Sequence, residues 1–506
     1  MKLIEQFDEL LARCSHHFKR PKTFERARAL AFSHLITYGR HTISRLICGM
    51  NEQHKDWSAD YKFFSKREWD ADGLFLEVLK ACDDHCHWYQ DAILMAMDET
   101  FRKKTGKKIP GVSTLRDPMS LRFHTNLTPA IRFLQASVIV NPENRIENFR
   151  AIPIHFEEAA PAKKPKSNAP ENVKEQYKKE QKEKRISVRG RQAVLKIRQQ
   201  VDKLPRGEER LLFNTVDGSF CNRNFLRNPI DRVIHIVRAR KDLRLFSPVE
   251  TSIINRKGRR RIYGERLPTP EEIRKDDCYP WQTERIYAAG KYHDLRFKTL
   301  APVLWQKGTG AQPCRLIIIA PLRYRKTKTS KLLYRDPAYL LVPDVEIPML
   351  VLLQYYFFRW DIEVNHRDEK SLLGLGDAQV CSLESVERNP QFSVFTYSLL
   401  LLSSINAYGP ERSDDYLPLP KWRKKEVRRP STLDILSQFR REIMIAQLKT
   451  DLKQSSDERP NPKKRFKKPR SLIEARKRSF VVNAKTERKP LKLPVNILSA
   501  LLYADS

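Results

Sequence analysis

The chain of 506 residues carries 96 Lys+Arg against 61 Asp+Glu, a formal net charge of +35 and a pI near 9.9. A basic excess of this size releases condensed counterions when it neutralises phosphates, so nucleic acid leads the possible partners, ahead of a merely basic cytosolic role. Eight scattered cysteines do not form the pattern of a disulfide scaffold and suit a reducing cytoplasm, and the acidic, amphipathic start MKLIEQFDELLARC lacks the continuous apolar core of a signal peptide.

Residues 1–85 read as a helical domain. In RARALAFSHLITYGRHTISRLICGM apolar residues recur at three- and four-residue steps on both sides of Gly39, which predicts two helices joined by a tight turn. Arg40, His41 and Arg45 then stand at the start of the second helix, where a helix-turn-helix presents its groove-reading side chains; an ordinary αα-hairpin has the same pattern. Next, DAILMAMD is an apolar run ending on Asp98, as expected of a buried strand that delivers a carboxylate to the edge of a sheet. The turn signal GKKIPG and two further candidate strands, around SLRFHTN and IRFLQASVIVNP, complete a meander.

Between 157 and 200 the composition shifts to Pro, Ala and Lys and then to Lys, Glu and Gln, predicting a solvated linker followed by a polar, charged helix. RLLFNTVDGSF repeats the earlier theme, an apolar strand ending on an acid, Asp217; a helix from NRNFLRNP and a strand from RVIHIVRAR follow. Residues 241–345 hold many short β-like runs punctuated by Pro and Gly and read as an all-β insertion. The run FSVFTYSLLLLSSINAY is interrupted by Ser and Asn and reads as a buried helix, not a membrane span. From 410 to 506 the chain is a basic region with one predicted helix, STLDILSQFRREIMIAQLKTDLK, and the stretch PNPKKRFKKPR.

Before that region comes QYYFFRWDIEVNHRDEK, an apolar segment that abruptly fills with charge. On a helix turning ~100° per residue, with Tyr356 at zero, Arg359 falls at about 300°, Glu363 at about 340° and Lys370 at about 320°, so the four share one stripe; His366 and Arg367 flank it. The order of elements is that of an α/β, RNase H-like core with a mixed sheet, split into residues 86–240 and 346–409 by the β-rich insertion. It carries Asp98 and Asp217 at strand ends and Glu363 on a later helix. Three acids gathered at one sheet edge raise one another's pKa unless a hard cation offsets them. A pair of Mg²⁺ ions suits all-oxygen donors, supports in-line phosphodiester displacement, and leaves room for Mn²⁺ to substitute.

The spacing Tyr356-x2-Arg359-x3-Glu363-x6-Lys370 resembles the Y-R-E-K signature of the IS4-type DDE transposases of bacterial insertion sequences, and the DET and DGSF stretches at Asp98 and Asp217 resemble that family's first and second acid boxes. The resemblance covers roughly residues 25 to 409. It implies an RNase H-like core, an N-terminal helical DNA-binding domain and Mg²⁺-dependent cutting at terminal inverted repeats. It also implies joining of the freed 3′ ends to target DNA within a homodimeric synaptic complex, in the cytoplasm at a bacterial nucleoid. Asp98, Asp217 and Glu363 then take the catalytic, metal-binding role and Tyr356, Arg359 and Lys370 hold DNA phosphates, with His366 and Arg367 as further DNA contacts. In some relatives a tryptophan of the insertion stacks a flipped base; Trp281 and Trp305 are candidates by position, with core packing as the alternative.

Other patterns compete less well. Cys82, His85, Cys86 and His87 hint at zinc but no second pair at useful spacing follows, and Cys14 with His17 is an unsupported partner. The rival functions are a transposase-derived DNA-binding protein that no longer cuts and an RNase H-like nuclease without strand transfer.

Overall fold

The structure, a computed structural model, describes residues 2–457 apart from 67, 107, 118–119, 121–122, 125, 250–260, 325–328 and 423–426. Five helices open the chain: α1 (Lys2–Arg13), α2 (Pro21–Ile36), α3 (Ile43–Gly49), α4 (Ser58–Ser65) and α5 (Ala71–Asp83). The first sheet strands follow as β1 (Ile93–Lys103), β2 (Ser113–Arg116), β3 (Leu127–Val140) and β4 (Arg150–Glu158). Then come α6 (Glu171–Glu183), α7 (Ile186–Val201), β5 (Leu212–Val216), α8 (Arg223–Leu226) and β6 (Val233–Arg238).

β1, β3 and β4 run antiparallel as neighbours, while β5 lies parallel to β1 on its other side and β6 parallel to β5. A mixed sheet of this order is consistent with an RNase H-like core. The apolar run of β1 is buried on both faces, as a central strand requires. Its residues alternate between two cores: Ile93, Met95 and Met97 face the larger one, shared with α1, α5, α7 and the long helix α12 (Leu383–Tyr408), whereas Leu94 and Ala96 face a second one with Phe213 of β5. That second face is covered by α10 (Met349–Phe358) and α11 (Trp360–Ser371).

Residues 241–345 are β-rich, as expected, but neither all-β nor a sheet apart. They contain β7 (Phe246–Pro248), β8 (Tyr263–Arg266), α9 (Pro270–Lys275), β9 (Gln282–Ala288), β10 (Lys291–Leu304), β11 (Pro313–Ile319), β12 (Arg323–Tyr324), β13 (Leu333–Tyr334) and β14 (Ala338–Val342). β14 pairs antiparallel with β6, β11 with β14 and β10 with β11, so these strands prolong the core sheet to twelve strands among the described residues. The reason is that β6 would otherwise leave an open edge of unpaired N–H and C=O groups. The helix α9 has a signal that composition hid: Thr269 caps it, Pro270 opens it, and Glu272 closes a capping box.

Three further expectations change. β1 does not stop at Asp98 but runs five residues beyond it, still paired to β3. The described part of SLRFHTN is turn and coil, held where Ser120 Oγ donates to the Asp117 carbonyl, and the third antiparallel strand is β4. The charged helix is two helices, and α6 buries none of its side chains, as a solvated polar face predicts.

α12 is buried nearly all round and packs against α1, α4, α5 and β4, which makes it a core helix. No helix among the described residues is long and apolar enough to cross a membrane. The terminal helix α13 (Thr432–Asp457) packs on α1, α2 and α12, and Glu442 on it accepts from the Ile4 N–H at 3.1 Å. The stretch PNPKKRFKKPR lies outside the described residues.

Candidate active site

Strand register alone brings the first two acids together. The last parallel pair between β1 and β5 is Met97 with Val216, so Asp98 and Asp217 are the next residue on each strand. With side chains alternating, both lie on the Leu94/Ala96/Phe213 face, the one that α10 and α11 cover. β5 ends there while β1 continues, and Asp217 starts a short 3-10 turn through Gly218–Phe220. The sheet therefore opens a notch at the point where its acids emerge.

Glu363 comes from above. The expected single helix is two, α10 and α11, meeting at Arg359, whose φ of −50° and ψ of −32° are still helical. The helical phase thus carries through the junction, and Arg359 and Glu363 stay one turn apart on one side. Arg359 Nη2 donates to Glu363 Oε1 at 2.9 Å and Nη1 to Asp98 Oδ2 at 3.3 Å, so one guanidinium joins the sheet acid to the helix acid. Asp217 has its own cation, Arg238 Nη1 at 3.8 Å. Arg238 follows Val237, which pairs with Val216 across the parallel β5–β6 ladder; the register argument that places Asp217 places this arginine too, and sequence reasoning missed it.

The electrostatics reveal the strain in this arrangement. Burial pushes the Asp98 carboxyl up to about 7; Arg359 and the Glu99 N–H pull it down, and Asp217 and Glu363 push it further up. Burial also raises Tyr356, with Arg238 and Arg359 opposing and the acids Asp217 and Glu363 reinforcing. Arg359 is raised although burial alone would lower it, because Asp98, Glu363, Tyr356 and Asp217 all favour its charged form. Lys370, held with its Nζ 5.7 Å from the Phe101 ring centre, is lowered by burial, and Asp98 is among the groups that restore it. Tyr356, Arg359, Glu363 and Lys370 therefore all lie around the two strand acids.

Among the described residues, the only three ligating atoms all within 4.8 Å of one another belong to His16, His17 and Glu77, not to the three acids. Arg359 stands between Asp98 and Glu363. The donor set is nevertheless all oxygen, and Asp98, raised by burial and further by Asp217 and Glu363, gains from a nearby positive charge; that chemistry fits a hard divalent ion. Asp98, Asp217 and Glu363 are the residues that would hold it.

Two of the expected DNA contacts are not available to solvent. His41 is 3% exposed, its Nε2 3.1 Å from the His34 carbonyl oxygen and its backbone N–H donating to Asp377 Oδ2 at 3.3 Å. It anchors the loop before α3 to the turn after α11 and cannot read a groove. His366 is 7% exposed; burial, with Lys370 and Arg359 nearby, drives its pKa down to about 3, so it is a neutral core residue. Both errors have one cause: position on a helical wheel does not say which neighbouring element covers it. Arg40 and Arg45 are exposed; Thr42 caps α3 by accepting from the Arg45 N–H, and six residues separate α2 from α3. Arg367 is exposed and its Nε donates to Asp368 at 2.9 Å.

The zinc pattern does not assemble. Cys82 and Cys86 are buried, their thiols pushed up by burial, and Cys86 Sγ donates to the Cys82 carbonyl. Trp305 is buried against the larger core; Trp281 is half-buried beneath Lys298 Nζ, 4.7 Å from its ring centre. Sequence reasoning also missed Glu99, 3.4 Å from Arg132, and Gln135, which lies directly across β3 from Asp98.

The family model described as DDE superfamily endonuclease matches residues 13–311, more than half of the chain. The matched region includes Asp98 and Asp217 and ends before α10 and Glu363. No curated protein sequence matches the chain.

Proposed function

Because the chain belongs to the DDE superfamily of endonucleases, whose members generally use divalent metal ions on DNA, we propose that it is a DNA transposase of the IS4 type. In this reading it binds terminal inverted repeats, cleaves the element ends and joins the freed 3′ ends to target DNA. The observation that carries it is that Arg359 bridges Asp98 to Glu363 while strand register sets Asp217 beside Asp98, although the three acids come from two strands and a helix distant in sequence.

Asp98, Asp217 and Glu363 would hold a pair of Mg²⁺ ions, which would supply an activated attacking oxygen and charge stabilisation for the departing one. The protein's own residues do the rest. Arg359 and Lys370 offset the charge of the phosphate beside the scissile bond, and Tyr356 orients it. Arg359, paired to two carboxylates without DNA, exchanges one of them for a phosphate oxygen as the backbone enters. The excess of basic residues elsewhere supplies sequence-independent affinity, and the exposed Arg40 and Arg45 belong to an N-terminal DNA-binding unit. Assembly is as a homodimer that pairs two DNA ends.

The test is to incubate the purified chain with Mg²⁺ and labelled duplexes copied from the sequences flanking its gene. Cleavage with joining of 3′ ends supports the proposal. Cleavage without joining makes the protein a nuclease, and binding without cleavage makes it a transposase-derived DNA-binding protein. Short inverted repeats around the gene, bounded by a target duplication, are the companion observation.

A further inference from the structure

Behind α11, on the side away from Glu363, lies a cavity of about 150 Å³ lined by Arg150 of β4, by Asp361 and Asp368 of α11, and by Arg429 and Thr432 at the start of α13. Its charges do not balance. Asp361 is fully engaged: Arg429 Nη2 donates to Oδ1 at 3.0 Å, Arg429 Nη1 to Oδ2 at 3.2 Å, and the Ala151 N–H to Oδ2 at 2.8 Å. Asp368 is taken by Arg367 at 2.9 Å. Arg150 feels Asp361 at longer range but has no direct ion pair among the described residues. It is 6% exposed, its one hydrogen bond among the described residues runs from Nη2 to the Pro430 carbonyl at 2.5 Å, and no carboxylate of those residues lies within 4.0 Å of it.

A buried guanidinium that shares its nearest carboxylate with a second arginine and forms no direct ion pair is costly, and an anion supplied from outside relieves that cost. Burial and the nearby Arg429 lower its pKa to about 10, which leaves it charged at neutral pH. Three arginines against two aspartates give the lining a net charge of one positive unit, and the Thr432 and Tyr397 hydroxyls, hydrogen-bonded to each other at 3.3 Å, leave one O–H to donate. The space suits a tetrahedral oxyanion with its waters and is too small for a nucleotide.

We propose that this cavity is a phosphate-class anion site, centred on Arg150, that pins the start of α13 to the back of the helix carrying Glu363. The oxyanion comes either from free phosphate or from a DNA backbone phosphodiester, and the experiment separates the two.

Equilibrium dialysis of the full chain against labelled inorganic phosphate, with ionic strength held constant by chloride, is expected to show saturable binding of one phosphate per chain and a Tm raised by about 2–4 °C. Lys370→Ala, on the opposite side of α11, keeps that binding. Arg150→Gln abolishes it. Arg150→Lys, which keeps the charge and loses the planar fork, folds where Gln does not and weakens it about tenfold. Displacement of the bound phosphate by duplex DNA identifies the backbone as the source; unchanged phosphate binding with DNA present identifies the free ion. Absence of saturable binding in the unmodified chain, or binding unchanged in either Arg150 variant, overturns the proposal.

Discussion

The two sides of α11 carry the same residue types in opposite conditions. On the back, Asp361 is held well inside the carboxylate range although burial opposes it, because Arg429 and the Ala151 N–H satisfy both of its oxygens. On the front, Asp98 is pushed up to about 7, since burial and two neighbouring acids outweigh one shared arginine. A satisfied buried carboxylate stabilises the fold, whereas a frustrated one keeps capacity for a cation that the fold does not supply. The comparison separates structure, at Asp361 on α11, from chemistry, at Asp98 on β1.

The largest effect that would sharpen this contrast is on the front. Asp98→Asn, Asp217→Asn and Glu363→Gln are each expected to lower DNA cleavage on the order of 10³-fold or more, and for Asp98→Asn the Tm stays unchanged or rises, because it removes a buried charge that the fold holds at a cost. Cleavage assays beside thermal melts check both halves; an Asp98→Asn variant that melts far earlier breaks the contrast. On the back the order reverses. Asp361→Ala leaves the half-buried Arg429 and the buried Ala151 N–H without their acceptor and is expected to cost about 1–3 kcal/mol in a denaturant titration.

Glu369 extends the contrast to pH. It is fully buried on α11, and burial raises its carboxyl from 4.5 to about 8, with Gln135 and Lys370 only partly offsetting that and Asp368 adding to it. Its folded pKa lies above its unfolded one, so between pH about 4.5 and 8 the native state binds the extra proton, and stability falls as pH rises through that window. Glu369→Gln is expected to flatten that part of a Tm-versus-pH curve; an unaltered slope contradicts the assignment. The smallest effect concerns Lys370→Ala, expected to weaken DNA binding a few-fold and to reduce the salt slope of log K by about 1. A salt series of binding isotherms reads it.

Much of the front was legible because periodicity carries it. The apolar runs in DAILMAM and LFNTV, each closing on an acid, marked Asp98 and Asp217, and the period of 3.6 across 356–370 put Arg359, Glu363 and Lys370 on one stripe, even though α10 and α11 part at Arg359. What periodicity cannot give is the covering element. His41 and His366 looked presentable on their helices, yet α2 and the turn after α11 close over the first, and the sheet beneath α11 closes over the second. Nor does local pattern reveal long-range pairing: that β14 docks on β6, making the insertion part of the core sheet, depends on residues about 100 apart. The ion pair of Asp361 with Arg429 was hidden for the same reason.

The central claim, that Asp98, Asp217 and Glu363 form one divalent-ion site, is tested most directly by titrating Mn²⁺ into the full chain with duplex DNA present and following the free ion by electron paramagnetic resonance. The account predicts saturable binding in the unmodified protein that is lost in Asp98→Asn and in Glu363→Gln while both still bind DNA. Mn²⁺ binding of equal strength and stoichiometry in either variant would contradict it.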